Sequence, residues 1–149
     1  MSAADLIVYS PDGVPQLAVE AKRKSHPSPE WAAKMRRNLL VHSPLPPTRY
    51  FLLAVPNRMY FWKDAPPEQE VAPDYEVDTA AVLRGYFDPG RVSPETMSEP
   101  SLQLAVAAWL GDLTTGRAAV PPDTSEAWLK DSGLLDAIRR GFIDGEVAA

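Results

Sequence analysis

The chain has 149 residues, 45% hydrophobic and 23% charged, the size and balance of one globular domain that can bury a core. With no cysteine and two histidines, it can build neither a disulfide, a thiolate metal site nor a histidine-rich zinc centre. A net charge of −5 argues against a uniformly basic, nucleic-acid-coating surface.

Residues 5–10 and 16–22 read as a β-hairpin. Asp5 opens an apolar run, Leu6-Ile7-Val8-Tyr9, and Pro11-Asp12-Gly13 supplies turn chemistry. A two-residue turn centred on Asp12-Gly13 sets Pro11 opposite Val14, so paired residue numbers add to 25 and Asp5 faces Glu20. A four-residue loop over 11–14 keeps that register; a three-residue loop would set Asp5 against Val19, on the other face. Opposed positions have Cβ atoms about 4.5–5.5 Å apart, close enough for two carboxylates to grip one ion. Leu17, Val19 and Ala21 alternate with Gln16, Ala18, Glu20 and Lys22, so the second acid and the lysine share a face. Two like charges opposed across a ladder destabilise it, and a bound cation is the simplest compensation.

Ser28-Pro29-Glu30 starts a helix, with Ser28 as N-cap and Pro29 at the first helical position. Trp31, Met35, Leu39 and Val41 form its apolar stripe, with Lys34, Arg36 and Arg37 off it. The helix stops before Ser43-Pro44-Leu45-Pro46-Pro47. Arg49–Val55 is continuously apolar after its first residue, as in a strand buried on both faces, and Met59–Trp62 reads as a further strand. Residues 1–63 therefore predict a β-β-α-β-β core with the helix as crossover. Residues 64–77 read as a proline-rich acidic loop. Asp78 caps a short helix through about Phe87, Glu99 to about Leu113 forms a helix with Leu102, Val106, Trp109 and Leu113 on one stripe, and a last helical segment covers about Ser125–Arg140. The fold class expected is α/β: a mixed sheet of about four strands flanked by helices, with residues 64–149 an acidic, mainly helical part packing on the same domain.

Asp5, the hairpin, Glu20-Ala21-Lys22 and a crossover helix into a buried strand together resemble the PD-(D/E)XK nuclease superfamily, the restriction-endonuclease-like fold. Ala4-Asp5 stands where that family has Pro-Asp, and Glu20-x-Lys22 matches its (Asp/Glu)-x-Lys. The resemblance covers roughly residues 4–63. It implies a nuclease that hydrolyses phosphodiester bonds in DNA, with Asp5, Glu20 and the Ala21 carbonyl binding Mg²⁺ (or Mn²⁺) and Lys22 orienting or deprotonating the attacking water. A lysine beside such a cation is expected to have its pKa lowered. The family usually places a helix and one more strand before the Asp-bearing strand, and that helix often adds a glutamate. Here four residues precede Asp5, so the strand edge is expected to be covered by the C-terminal helices, by a partner subunit or in a homodimer.

Charge is unevenly spread. Residues 20–63 hold nine Lys/Arg against two acids (+7), and residues 64–149 hold six against sixteen (−10). The basic block makes Arg23, Lys24, Lys34 and Arg37 the candidate phosphate contacts, against the plainer reading of solvated strand and helix faces. The plainer reading of Glu20 and Lys22 is an exposed polar face carrying an ion pair. The rival function is a catalytically inactive nuclease-fold module that binds or scaffolds through its acidic half. No basic region precedes the first apolar run, and no apolar stretch approaches the roughly 18–20 residues of a membrane span. A soluble cytoplasmic protein is expected.

Overall fold

The computed structural model describes residues 5–42, 45–86, 96–116 and 127–145. Largely apolar sequence, buried on both faces, forms the hairpin strands β1 (Leu6–Tyr9) and β2 (Pro15–Ala21). The turn differs from the two-residue form. Ser10 and Val14 pair around a three-residue loop, with the Ser10 N–H donating to the Val14 carbonyl and the Gly13 N–H to the Ser10 carbonyl, both at 2.9 Å. Gly13 closes it at φ +81°, a conformation that glycine adopts without steric cost. That loop alone would have moved Asp5 to the wrong face. The offset is undone inside β2, where Tyr9 pairs with Pro15 but Val8 pairs with Leu17, leaving Gln16 as an extra residue in a β-bulge. From there Val8–Leu17, Ile7–Ala18 and Leu6–Val19 carry the expected register.

Helix α1 (Pro29–His42) starts at Ser28, whose Oγ accepts the Trp31 N–H at 3.1 Å. It is the crossover that lets β3 (Tyr50–Ala54) lie parallel to β2. Every residue of β3 is buried, as its unbroken apolar run predicts. β4 (Arg58–Lys63) returns antiparallel. The face that α1 buries is not its largest apolar stripe. Ala32, Ala33 and Arg36 are buried, whereas Trp31, Met35 and Leu39 are half-buried and Val41 is exposed. Two small alanines let the helix backbone approach the sheet, and this rotation carries Arg36 inward.

The sheet has six strands rather than about four, in the order β5-β4-β3-β2-β1-β6. β5 (Tyr75–Asp78) lies at the end of the stretch expected to be loop, where Tyr75 and Val77 alternate with exposed acids against β4. β6 (Phe142–Gly145) pairs antiparallel with β1. The outer edge of β1 is thus covered by a strand of the same chain.

Asp78 caps α2 (Thr79–Val82), shorter than expected, and α3 (Glu99–Thr115) buries Leu102, Val106, Trp109 and Leu113 as the stripe predicts. The single last helix is instead two short ones, α4 (Trp128–Asp131) and α5 (Leu134–Ile138). Gly133 at φ +88° separates them, and the preceding Ser132 carbonyl accepts the Tyr50 hydroxyl at 3.1 Å. Phe87, Ser125 and the loop residues 117–124 lie outside the described residues.

One core forms between α2–α5 and the sheet face bearing Leu6, Val8, Leu17, Val19 and Ala21. A second, smaller one forms beneath α1 around Ile7, Ala18, Phe51, Leu53 and Trp62. The result is an α/β domain with helices on both sides of a mixed sheet. Among the described residues no helix is long and apolar enough to cross a membrane.

Candidate active site

Asp5 and the end of β2 meet through two contacts that flank Glu20. The Asp5 N–H donates to the Val19 carbonyl at 3.0 Å, and Asp5 Oδ2 accepts the Ala21 N–H at 2.7 Å. The carboxylate therefore occupies the place that a further β1 carbonyl would take in the ladder. N–H and C=O of one strand residue project to the same side, so the Ala21 carbonyl is directed towards the β1 side as well. On the other side of β2 the Lys22 N–H donates to the Ala54 carbonyl at 2.9 Å, which extends the parallel ladder by one residue.

Glu20 follows Ala18 on the α1 face, beside Leu53 of β3, and is only 4% exposed. Its Oε1 lies 3.2 Å from Lys22 Nζ, while Oε2 is buried with no hydrogen-bond partner. A buried, half-satisfied carboxylate is costly to ionise. Its pKa is pushed up from 4.5 to about 7, first by burial and second by the charge of Asp5; Lys22 and the Asp5 main chain oppose this less strongly.

Lys22 is the accessible member, its side chain 35% exposed. Burial would lower its pKa, but the charge and hydrogen bond of Glu20, with help from Glu99 and Asp5, outweigh this and raise it. With no cation bound, the protein's own acids favour the ammonium form of Lys22.

Glu99 was not anticipated. It is the first residue of α3, 77 positions beyond Lys22 in the chain, and its Oε1 accepts the Arg23 N–H at 2.9 Å. Helix capping signals locate the start of α3 in sequence, but not that this end docks against the residues following β2. Arg23 and Lys24 are exposed beside the site, with Lys24 Nζ 5.9 Å from the centre of the Trp31 ring. Lys34 is exposed on α1. Arg37, further along α1, is engaged elsewhere, its Nε donating to the Glu68 carbonyl at 3.0 Å. The structure groups Arg23 and Lys24 with the triad and leaves Lys34 and Arg37 on the helix. The downstream acids have local roles: Asp74 accepts the Lys63 N–H, Glu76 pairs with Arg58, and Asp78 caps α2.

Among the described residues no cluster of three or more His, Cys, Asp or Glu side chains is arranged to hold a metal ion. Two carboxylates and a main-chain carbonyl do not suit a zinc or other nitrogen- and sulfur-loving site. They fit Mg²⁺, which takes one or two carboxylates and keeps its remaining ligands as water. The orphaned Glu20 Oε2 is the atom that such an ion would satisfy. Comparison with known proteins adds no relative: no family model matches the chain, and no curated protein or solved structure is significantly similar to it.

Proposed function

We propose that this chain is a Mg²⁺-dependent nuclease that hydrolyses phosphodiester bonds in DNA. The observation that carries the reading is the buried carboxylate of Glu20, unpartnered at Oε2 and pushed up to about pH 7, held between the two contacts that Asp5 makes with β2. Two acids close enough at the end of β2 for the charge of one to raise the pKa of the other, with one lysine paired to Glu20, are short of positive charge that a divalent cation would supply. Asp5, Glu20 and the Ala21 carbonyl would hold Mg²⁺ or Mn²⁺. Bound there, the ion would supply stabilisation of the charge that develops on the phosphate. Lys22 would donate a hydrogen bond to the attacking water or help take its proton. Arg23 and Lys24 flank the site as phosphate contacts, and Lys34 and Arg37 extend the basic surface along α1.

Plasmid cleavage in Mg²⁺ or Mn²⁺ by the wild type and by Lys22→Ala tests this. Metal-dependent cleavage that Lys22→Ala abolishes is expected; cleavage that survives it sinks the assigned mechanism. Absence of both metal binding and cleavage would favour the rival, a nuclease-fold module acting through protein contacts.

A further inference from the structure

The α1 face holds a second polar group that the proposed chemistry does not use. Arg36 is 3% exposed. Its Nη atoms donate to the carbonyls of Ala65, Pro66 and Gln69 at 2.8–3.4 Å, and its guanidinium lies 5.7 Å from the centre of the Trp62 ring. Nε is buried with no acceptor. Three main-chain carbonyls satisfy donors but do not neutralise a cation; the charge of Asp74 acts on the guanidinium, and burial outweighs it.

Arg36 lines a cavity of about 250 Å³, enclosed by Leu40, Phe51, Trp62 and the prolines around residue 46, with Arg49 also on its wall. Two guanidinium groups and no carboxylate line it; Asp64, which pairs with Arg49 at 3.2 Å, stands outside the lining. An apolar cavity of about 150 Å³ accommodates benzene in another protein, so this one has room for a ring and a carboxylate. It opens at the Tyr50–Phe51 end of β3, whereas Lys22 lies beyond the Ala21–Ala54 end of the same parallel ladder. The two sites are at opposite ends of the strands.

We propose that this cavity binds a small aromatic carboxylate, its ring against Trp62 and Phe51 and its anion on the side of the Arg36 guanidinium, with Arg49 adding charge at the wall. Aromatic walls with a few convergent polar donors are the usual make-up of a small-molecule site. A neutral ligand of the same shape would add no charge opposite the two guanidinium groups and should bind far more weakly.

The test uses the full chain, ¹⁵N-labelled and metal-free, titrated with benzoate. Saturable shifts are expected at the Arg36 Nε–H and at the Trp62 indole N–H, which donates to the Val71 carbonyl at 2.8 Å. Benzyl alcohol should bind at least tenfold more weakly. Leu40→Trp, which fills the cavity, should abolish the shifts, and Arg49→Gln, an exposed change that leaves the fold intact, should weaken binding severalfold. No saturable shift, shifts centred away from Arg36 and Trp62, or equal binding of benzyl alcohol would each overturn the proposal. Because no metal or DNA is present, the result is independent of whether the chain cleaves DNA.

Discussion

Asp5 and Ala21 are joined side chain to main chain, Oδ2 accepting the Ala21 N–H at 2.7 Å, so one acid serves both as a ladder cap and as half of the charged pair. Asp5→Asn keeps an oxygen acceptor for that N–H while removing the charge. The fold should survive, and metal-dependent cleavage should fall by about a hundredfold or more, the scale of several kcal/mol of lost charge stabilisation. Circular dichroism beside a cleavage assay separates the two effects. Loss of secondary structure in Asp5→Asn would mean that the charge itself holds the hairpin end.

Lys22→Ala should cost on the order of 1–3 kcal/mol of stability at pH 8 and less at pH 5, because it strips the buried Glu20 carboxylate of its ion-pair partner. Cleavage should drop by about 10²–10⁴-fold, the usual contribution of a positioned proton-handling group. Single-turnover rates on a linear duplex give the number, and a drop below tenfold would remove Lys22 from the chemistry.

Glu20 fixes the sign of a pH effect. In the folded chain its carboxyl titrates near 7, against 4.5 ordinarily, so between those values the folded state binds more protons than the unfolded one. The stability from this group is present in full below about pH 4.5 and is lost as pH rises through 7. In EDTA, wild type should lose on the order of 1–3 kcal/mol relative to Glu20→Gln between pH 5 and 8. Glu20→Gln should therefore be the more stable protein at pH 8 and inactive. Mg²⁺ should recover stability in the wild type at pH 8 and much less at pH 5. Urea melts at the two pH values, with EDTA or with Mg²⁺, check the stability statements and a cleavage assay the loss of activity; parallel pH profiles for wild type and Glu20→Gln would contradict them.

Gly141 leads into β6 where the chain crosses closest to β1. A methyl group there would run into the Tyr9 carbonyl oxygen and lie 2.9 Å from that of Ile138. Both obstacles are backbone and cannot swing aside. Gly141→Ala should cost about 3 kcal/mol and speed amide exchange along β1 before the rest of the sheet. Gly13→Ala, where nothing stands within 4 Å, should cost only the about 1–2 kcal/mol of a left-handed backbone.

Arg36→Met should destabilise the chain by several kcal/mol, since three loop carbonyls lose their donor together. The first sign should be protease cutting in residues 64–74. Arg36→Lys should rescue little, because an ammonium cannot reach three divergent carbonyls with the planar fork of an arginine.

The hairpin shows how far local chemistry reaches. Alternation put Glu20 and Lys22 on one face, and both acids were legible from the spacing. The route to their register was not: a three-residue loop shifts the pairing by one, and Gln16 shifts it back. A bulge carries little composition of its own, so the two offsets were invisible separately and cancelled together. The buried strand 50–54 and the α3 stripe followed from apolar patterning. Arg36 and Glu99 did not. A buried arginine depends on Ala32 and Ala33 drawing α1 onto the sheet, and Glu99 depends on how distant elements pack. β5 and β6 are four residues each, too short for alternation to announce them.

The pairing of β1 with β6 has a consequence for biosynthesis. Leu6, next to Asp5, finds its outer neighbour in Gly145, at nearly the full span of the chain. Contacts between such distant residues form late, and synthesis runs at about 5–20 residues per second. A growing chain thus carries both acids for many seconds before the strand that braces the first of them has been made. Any phosphodiester-cleaving capacity would therefore wait until residues 142–145 have been made and have joined the sheet.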